Sequence, residues 1–230
     1  MGAGRVFALS IAAGLLAGVV LAAMNLLVVN QYIEPMADLY FDFLLDEGIM
    51  DEDEFDIALQ SLYAWQIVFP LAIGPAAGAL VAGAYLTIRR DAFLVALAVA
   101  GAAWFSLYVI PALKYPYSPD ALFNPEATGA YVMLFAAYSA SSGLAALGSA
   151  TLLAKTGRKN WYVGAAGVYL AVAAGLFFAF PSFTETEIVP LYMLGEWRSA
   201  SAAAMTAFWF TLGIIAGILL ERKNGAGRGI

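Results

Sequence analysis

The feature that most restricts the fold of this chain is the run of 24 residues from Val6 to Val29, in which no side chain carries a charge. A helix needs roughly 20 apolar residues to cross the hydrocarbon layer of a bilayer. Five further runs are also long enough, so that the predicted spans lie at about 6–29, 62–88, 92–113, 131–154, 162–180 and 202–220. Because backbone polar groups in lipid must bond within their own segment, each run is predicted to be a helix.

The composition indicates the same class of protein. Hydrophobic residues make up 63% of the chain and charged residues 12%, whereas a soluble domain carries about 25% charged residues. The first run, preceded by Arg5, is longer than the roughly 7–15 apolar residues of a secretory signal, and no clear cleavage site of small residues follows it. We therefore expect a retained helix, in an all-α, polytopic membrane protein with one transmembrane domain over residues 1–230.

The charges are strongly segregated between the two ends of the predicted helices. If the N-terminus lies inside, nine of the 11 basic residues are inside and only Lys114 and Arg198 are outside, in keeping with the positive-inside rule. Of the 17 acidic residues, only Asp91 and Glu221 are then inside. An odd number of spans would destroy this segregation, so the sequence predicts six spans with both termini inside.

Neither Cys nor His occurs in the sequence. Their absence excludes disulfides, thiolate chemistry and the usual zinc ligands, and there is no glycine-rich phosphate loop of the Walker type. An enzyme that acts on lipid is disfavoured as well, because no pair of acidic residues is clustered within a span. We expect a protein that is not an enzyme and that holds no permanently bound cofactor.

Residues 31–61 form a long acidic loop on the predicted outer side. Pro35 lacks an N–H group and suits the first turn of a helix, so a new helix is expected to start there, lie at the membrane surface and end at Gly48. Asp51 and Glu54 have the spacing of a capping box that opens the next helix. The negative field of this loop either concentrates cations or belongs to a solvated surface adapted to high salt.

Proline and glycine within the spans predict how the helices pack. Pro70 and Pro75 in the second span predict a kink, with the freed carbonyl groups facing protein or a cavity instead of lipid. Glycine pairs at four-residue spacing predict close contact between helices. These pairs are Gly14/Gly18, Gly74/Gly78 and Gly213/Gly217.

Polar groups near the end of the first span are the candidate cation ligands. Asn25 lies within the span, Asn30 at its end and Glu34 just beyond it, and amide and carboxylate oxygens can replace the hydration water of a divalent cation. Asn30 and Glu34 would share a helix face unless Pro35 bends the chain, whereas Asn25 would lie on another face and need a ligand from a second helix. Alternatively, Asn25 makes one interhelical hydrogen bond and Glu34 caps the following helix.

The two basic residues on the predicted outer side, Lys114 and Arg198, are candidates for organising the outer loops. In an acidic layer they would pair with Glu34, with Glu196 or with each other's loops; alternatively, they extend toward lipid headgroups. Tyr115 lies beside Lys114, and aromatic residues are typical of this interfacial layer. We predict that Lys114, Tyr115, Glu196 and Arg198 hold the outer loops in position.

Two short motifs resemble the CbtA family of probable cobalt transporter subunits. The first is Leu113-Lys114-Tyr115-Pro116, followed by Ser118-Pro119 and Asn124-Pro125-Glu126-Ala127-Thr128-Gly129. The second is Trp197-Arg198-Ser199-Ala200-Ser201 at the entry to the last span. Glu34 stands where members of the family carry an acidic residue. Members are usually described with five spans, whereas six are predicted here.

This resemblance implies a membrane subunit of a divalent-metal uptake system in which cobalt is the transported substrate. It also implies a small partner subunit resembling CbtB, a single-span protein that carries histidines, which would explain why this chain needs neither His nor Cys. We expect a multi-pass protein of the plasma membrane, surrounded by lipid and without a nucleic-acid partner; a homo-oligomer is left open.

The alternative is a scaffold subunit that binds another membrane protein and transports nothing. A transporter predicts a polar cavity that opens outward beside Glu34. A scaffold predicts that Asn25, Asn30 and Glu34 face lipid or other helices with no cavity between them.

Overall fold

The computed structural model describes residues 2–88, 91–157, 159–184 and 188–225 of the chain. These residues are 88% helical and contain no strand. Their helices are α1 (Ala3–Asp46), α2 (Glu52–Ile88), α3 (Ala92–Lys114), α4 (Asp120–Phe123), α5 (Pro125–Ala154), α6 (Trp161–Ala179) and α7 (Leu191–Gly225). Six of them are long and apolar enough to cross a membrane, which confirms the predicted all-α polytopic fold. The orientation of the termini stays a prediction.

Several helices extend well past the apolar runs that predicted them. α1 is continuous over 44 residues, α2 has 37 residues and α7 has 35. At a rise of 1.5 Å per residue, a helix the length of α2 extends about 55 Å, against about 30 Å of hydrocarbon. The ends of these helices therefore lie outside the hydrocarbon, because a charged residue ends the apolar run without ending the helix.

Pro35 does not begin a new helix, contrary to the prediction. It lies inside α1, whose last α-helical segment runs from Asn30 to Asp46. The carbonyl group that Pro35 leaves without a helical donor belongs to Gln31. Because Gln31 is exposed, water can satisfy that carbonyl, and the helix continues.

Glu196 and Arg198 are not in a loop, as the sequence analysis expects, but in α7. This helix begins at Leu191, directly after Pro190, whose carbonyl oxygen accepts hydrogen bonds from the first turn. Leu191, Glu196 and Arg198, which precede the last apolar run, are good helix formers. They therefore extend the last span by about three turns.

The chain divides into two compact units. The first unit contains the chain up to Gly101 and again from Ile188 onward, and therefore α1, α2, the first part of α3, and α7. The second unit contains residues 102–187, and therefore the rest of α3, α4, α5 and α6. The single transmembrane domain over residues 1–230 stays a prediction.

Helices α1 and α2 of the first unit pack with their backbones in contact. A Cβ atom at Gly14 would overlap the carbonyl oxygen of Gly74, and one at Gly74 would overlap that of Gly14. A Cβ atom at Gly18 would overlap the carbonyl oxygen of Pro70. The predicted close contact at these glycines is confirmed, and no residue larger than glycine fits there without separating the helices.

The third glycine pair, Gly213 and Gly217 of α7, packs against α3 within the first unit. A Cβ atom at Gly213 would lie 3.1 Å from the Cβ of Ala100, and one at Gly217 would lie 2.7 Å from the Cδ2 of Phe93. The predicted close packing is confirmed here as well. Side chains form much of this contact, so it can adapt more than the backbone contact between α1 and α2.

Capping interactions form the turn between α1 and α2. Gly48 has a φ of 65°, and the amide of Ile49 donates to the carbonyl oxygen of Leu44 at 2.9 Å, as in a Schellman motif. The amide of Glu54 donates to Asp51 Oδ1 at 2.9 Å, and the amide of Asp51 donates to Glu54 Oε2 at 3.2 Å. The predicted helix end at Gly48 and the predicted capping box are both confirmed.

Replacing Asp51 by alanine is expected to destabilise the first turn of α2 by about 1 kcal/mol, because the amide of Glu54 loses its acceptor. Amide hydrogen exchange at Glu54 should then become about fivefold faster. Asp53→Ala, in the same exposed turn, is the control and should leave the rate nearly unchanged. Equal rates in the two variants would contradict a stabilising role for the capping box.

Candidate cation site

Helix α1 contains a π-helical turn over Asn25–Val29, between two α-helical segments. The amide of Asn30 donates to the carbonyl oxygen of Asn25, five residues back instead of four. In such a turn, residues five apart lie nearly one above the other, as residues four apart do in an α-helix. Asn25 and Asn30 are therefore on similar faces of α1. The two residues would lie on different faces only if this part of α1 were regular α-helix.

Gln66 of α2, which the sequence analysis misses, is the partner of both asparagines. Pro70 has no N–H group, so the backbone carbonyl of Gln66, four residues earlier, lacks a helical donor. The Nδ2 of Asn25 donates to this carbonyl oxygen at 3.3 Å. The carbonyl freed by Pro70 thus faces protein, as predicted, and Asn25 makes the interhelical hydrogen bond that the sequence analysis gives as an alternative.

The side chain of Gln66 is buried and only 9% exposed. Its Nε2 donates to Asn30 Oδ1 at 2.8 Å. Its Oε1 is also buried and has no hydrogen-bond partner within the part of the chain that the structure describes. The signal that could have found Gln66 is an uncharged polar residue in an apolar span, four residues before a proline.

Glu34 follows Asn30 by one helical turn toward the acidic end of α1, and its side chain is exposed. Because α1 does not break at Pro35, Glu34 caps no new helix and shares a face with Asn30. Asp38, also exposed, lies one further turn away. Both carboxylates are close enough to Tyr63 of α2 to act electrostatically on its hydroxyl group.

The donors gathered here are the amide groups of Asn25, Asn30 and Gln66, with the carboxylate of Glu34 beyond them. Within the described ranges, no group of three or more His, Cys, Asp or Glu residues could hold a metal ion. Neutral amide oxygens are weak ligands that suit hard divalent cations. The chemistry of this donor set therefore fits weak and reversible binding of a cation better than a resident metal centre.

Lys114 and Tyr115 lie in the second unit, where α3 ends. The Nζ of Lys114 is 4.7 Å from the ring centroid of Phe177 in α6, a cation–π contact. The hydroxyl of Tyr115 donates to the carbonyl oxygen of Pro181 at 2.6 Å, and the hydroxyl of Tyr131 donates to the carbonyl oxygen of Tyr115 at 3.2 Å. Burial raises the pKa of Tyr115, so its phenol keeps its proton and remains a donor at neutral pH.

Glu196 and Arg198 lie in α7, in the first unit. Glu196 is exposed and Arg198 is half-buried. Trp197, between them in the chain, is only 3% exposed. The four residues predicted to organise the loops are thus divided between the two units, and their role as a group stays a prediction.

Comparison with known proteins decides the family. A family model described as "Probable cobalt transporter subunit (CbtA)" matches residues 4–221 of the chain. The chain belongs to the CbtA family. The resemblance seen in the two sequence motifs is thereby confirmed, and the match reaches all six apolar helices. No curated protein and no solved structure matches the chain.

Membership of the CbtA family supports a membrane subunit that serves cobalt transport. The six apolar helices of this CbtA chain agree with a multi-pass protein. The family is described as one of probable transporter subunits, which suggests transport instead of catalysis, and the word subunit implies that other subunits exist. Cobalt is accordingly the substrate that the family suggests.

Proposed function

We propose that this chain is the membrane subunit through which cobalt, or a related divalent cation, enters the cell, and that Glu34, Asn30 and Asn25 receive the ion. The observation that carries the proposal is the family match over residues 4–221. The polar side chains of α1 support it, because they lead from the acidic end of the helix into an apolar span.

The electrostatics of the acidic end favour the arrival of a cation. Residues 31–61 contain ten carboxylates and no basic side chain, and such a field raises the local concentration of cations. In our proposal this end faces the outside, as the segregation of charge predicts. Glu34 is the acidic residue nearest to the amide groups along α1, so it is the natural first ligand.

The amide groups beyond Glu34 would take the ion from that carboxylate. Asn25 and Asn30 are half-buried, and their oxygens can replace some of the hydration water of the ion. Because neutral amides hold cobalt less firmly than imidazole or thiolate ligands do, they would also release it. A CbtB-like single-span subunit, which the family resemblance implies, would offer histidines as the next ligands.

The proposed setting is the plasma membrane, with this chain either alone or as a homo-oligomer beside its small partner. The alternative of a non-transporting scaffold draws support from α5 and α6. In the most apolar 18-residue stretch of each of these helices, only 17% of the residues are buried. Such apolar surfaces suit lipid, and they equally suit another membrane protein.

Cobalt uptake by cells with and without this chain tests the proposal, with the partner subunit present in both. We expect uptake only with the chain. We further expect Glu34→Gln to raise the KM for cobalt about thirtyfold, since one charge acting on a cation at 4 Å in water contributes about 1 kcal/mol per unit of ion charge, or about 2 kcal/mol for a divalent ion. Glu47→Gln, in the exposed turn after α1, is the matched control.

Two outcomes would contradict different parts of the proposal. Equal uptake with and without the chain would remove transport and favour the scaffold. A KM for Glu34→Gln equal to that for Glu47→Gln would remove only the role of Glu34. Surface levels of each variant are measured by labelling, so that a loss of folded protein is not mistaken for a loss of binding.

A further inference from the structure

The side chain of Gln66 has a buried acceptor that packing does not explain. Its Oε1 is buried without a hydrogen-bond partner among the described residues, and leaving such a group unpaired costs about 1–3 kcal/mol. A leucine of similar size would fill the same space without that cost. An unpaired carbonyl oxygen is an acceptor, so it can take a cation or a donor such as the water bound to a cation.

Two hydrogen bonds hold this oxygen in place. The Nε2 of Gln66 donates to Asn30 Oδ1 at 2.8 Å, which fixes the plane of the amide and leaves the oxygen as its free end. The Nδ2 of Asn25 donates to the backbone carbonyl of Gln66 at 3.3 Å, which fixes the backbone from which the side chain extends. A ligand oxygen held in advance loses little conformational entropy when an ion arrives.

The π-helical turn is what makes this arrangement possible. It brings Asn25 and Asn30 to the same residue of α2, and a regular α-helix would point them about 140° apart. Short π-helical turns are frequent at functional sites. Pro70 contributes as well, because it frees the backbone carbonyl of Gln66, to which Asn25 then donates a hydrogen bond.

We propose that Gln66 is a further cation-binding residue, whose Oε1 accepts a divalent cation or its hydration water beside Asn30, one helical turn deeper than Glu34. This inference rests on the proposed function, since it names a second helix that supplies a ligand to the same path. The ligand class is a hydrated divalent cation. The oxygen of Gln66 can coordinate the ion itself or accept a hydrogen bond from a water molecule bound to it.

Binding is tested on the purified full chain by its thermal stability during titration with cobalt chloride. The wild-type midpoint temperature should rise with cobalt concentration. Gln66→Leu should need about tenfold more cobalt for half the effect, because it removes the acceptor. Gln66→Glu should need less cobalt, because the negative charge it places at the position of Oε1 outweighs the lost hydrogen bond to Asn30 Oδ1. Gln60→Leu, an exposed glutamine of α2, should behave as wild type.

The opposite shifts of the two Gln66 variants separate binding from structure. A residue that matters only for packing would leave the cobalt dependence unchanged in both variants, whatever their midpoint temperatures without cobalt. That result, or equal cobalt dependence in Gln66→Leu and Gln60→Leu, would overturn the inference. The uptake assay is run on the same variants, and a chain that binds cobalt through Gln66 but supports no uptake would refute transport and leave the site standing.

Discussion

Gly14→Ala is expected to destabilise the protein by about 2 kcal/mol or more, although alanine is the better helix former. The added Cβ atom would overlap the carbonyl oxygen of Gly74 and lie 3.2 Å from the amide nitrogen of Gly78. Both are backbone atoms of α2, which cannot rotate away as a side chain can. The helices must therefore separate along their whole contact, and many packed atoms lose their partners.

Gly83→Ala is the matched control for this variant. Gly83 lies in α2 and a Cβ atom there would meet nothing within 4 Å. The same substitution should therefore stabilise the protein by up to about 1 kcal/mol through helix propensity alone. Thermal unfolding of both variants in detergent measures the difference, and at about 2–4 °C per kcal/mol the midpoints should move in opposite directions.

A double variant extends this test. Gly14 and Gly74 face each other across the contact between α1 and α2. Gly14→Ala combined with Gly74→Ala should therefore lower the free energy of unfolding by less than the sum of the two single changes. Once the first methyl group has separated the helices, the second meets less resistance. A stabilising effect of Gly14→Ala, or strict additivity of the pair, would contradict the backbone contact.

Tyr115→Ala is expected to destabilise the second unit by about 3–5 kcal/mol, the usual range for removing a buried aromatic side chain. Tyr115 is 1% exposed, and its ring meets that of Tyr138 edge-to-face at 5.8 Å between centroids. Its hydroxyl also bonds the carbonyl oxygen of Pro181, beyond α6. The variant loses the ring contact, the hydrogen bond and the volume together.

Two further variants apportion this effect. Tyr115→Phe keeps the ring and should cost about 1 kcal/mol, the value of one hydrogen bond. Tyr162→Ala is the control, because Tyr162 lies in α6 of the same unit and is 59% exposed. Thermal unfolding of the full chain, and limited proteolysis within its residues 102–187, would measure the order of stability of the three variants. Equal stability of Tyr115→Ala and Tyr162→Ala would show that Tyr115 does not organise this unit.

Part of the candidate site followed from sequence, and part did not. Asn25, Asn30 and Glu34 are recognisable as polar groups in or beside an uncharged run. Gln66 is as polar and as deep in its own run, but nothing local says which helix it meets. Its pairing depends on how far α2 slides along α1, and the contacts at Gly14 and Gly74 set that register.

The sequence alone determined the six apolar helices, the capping box at Asp51 and the helix end at Gly48. These features follow from local rules, because the thickness of the hydrocarbon sets the length of a span and each cap involves residues only a few positions apart. The break expected at Pro35 fails for a related reason. A proline costs little where water can reach the carbonyl that it frees, and exposure is not a local property of the sequence.

Only the tertiary structure decided which polar groups meet. The π-helical turn at Asn25–Val29 changes the direction of every side chain before it relative to those after it. A single extra residue in a turn costs little by itself, so the packing of neighbouring helices selects it. Local preferences therefore fix where the helices are, and the interhelical contacts fix which residues of α1 and α2 face one another.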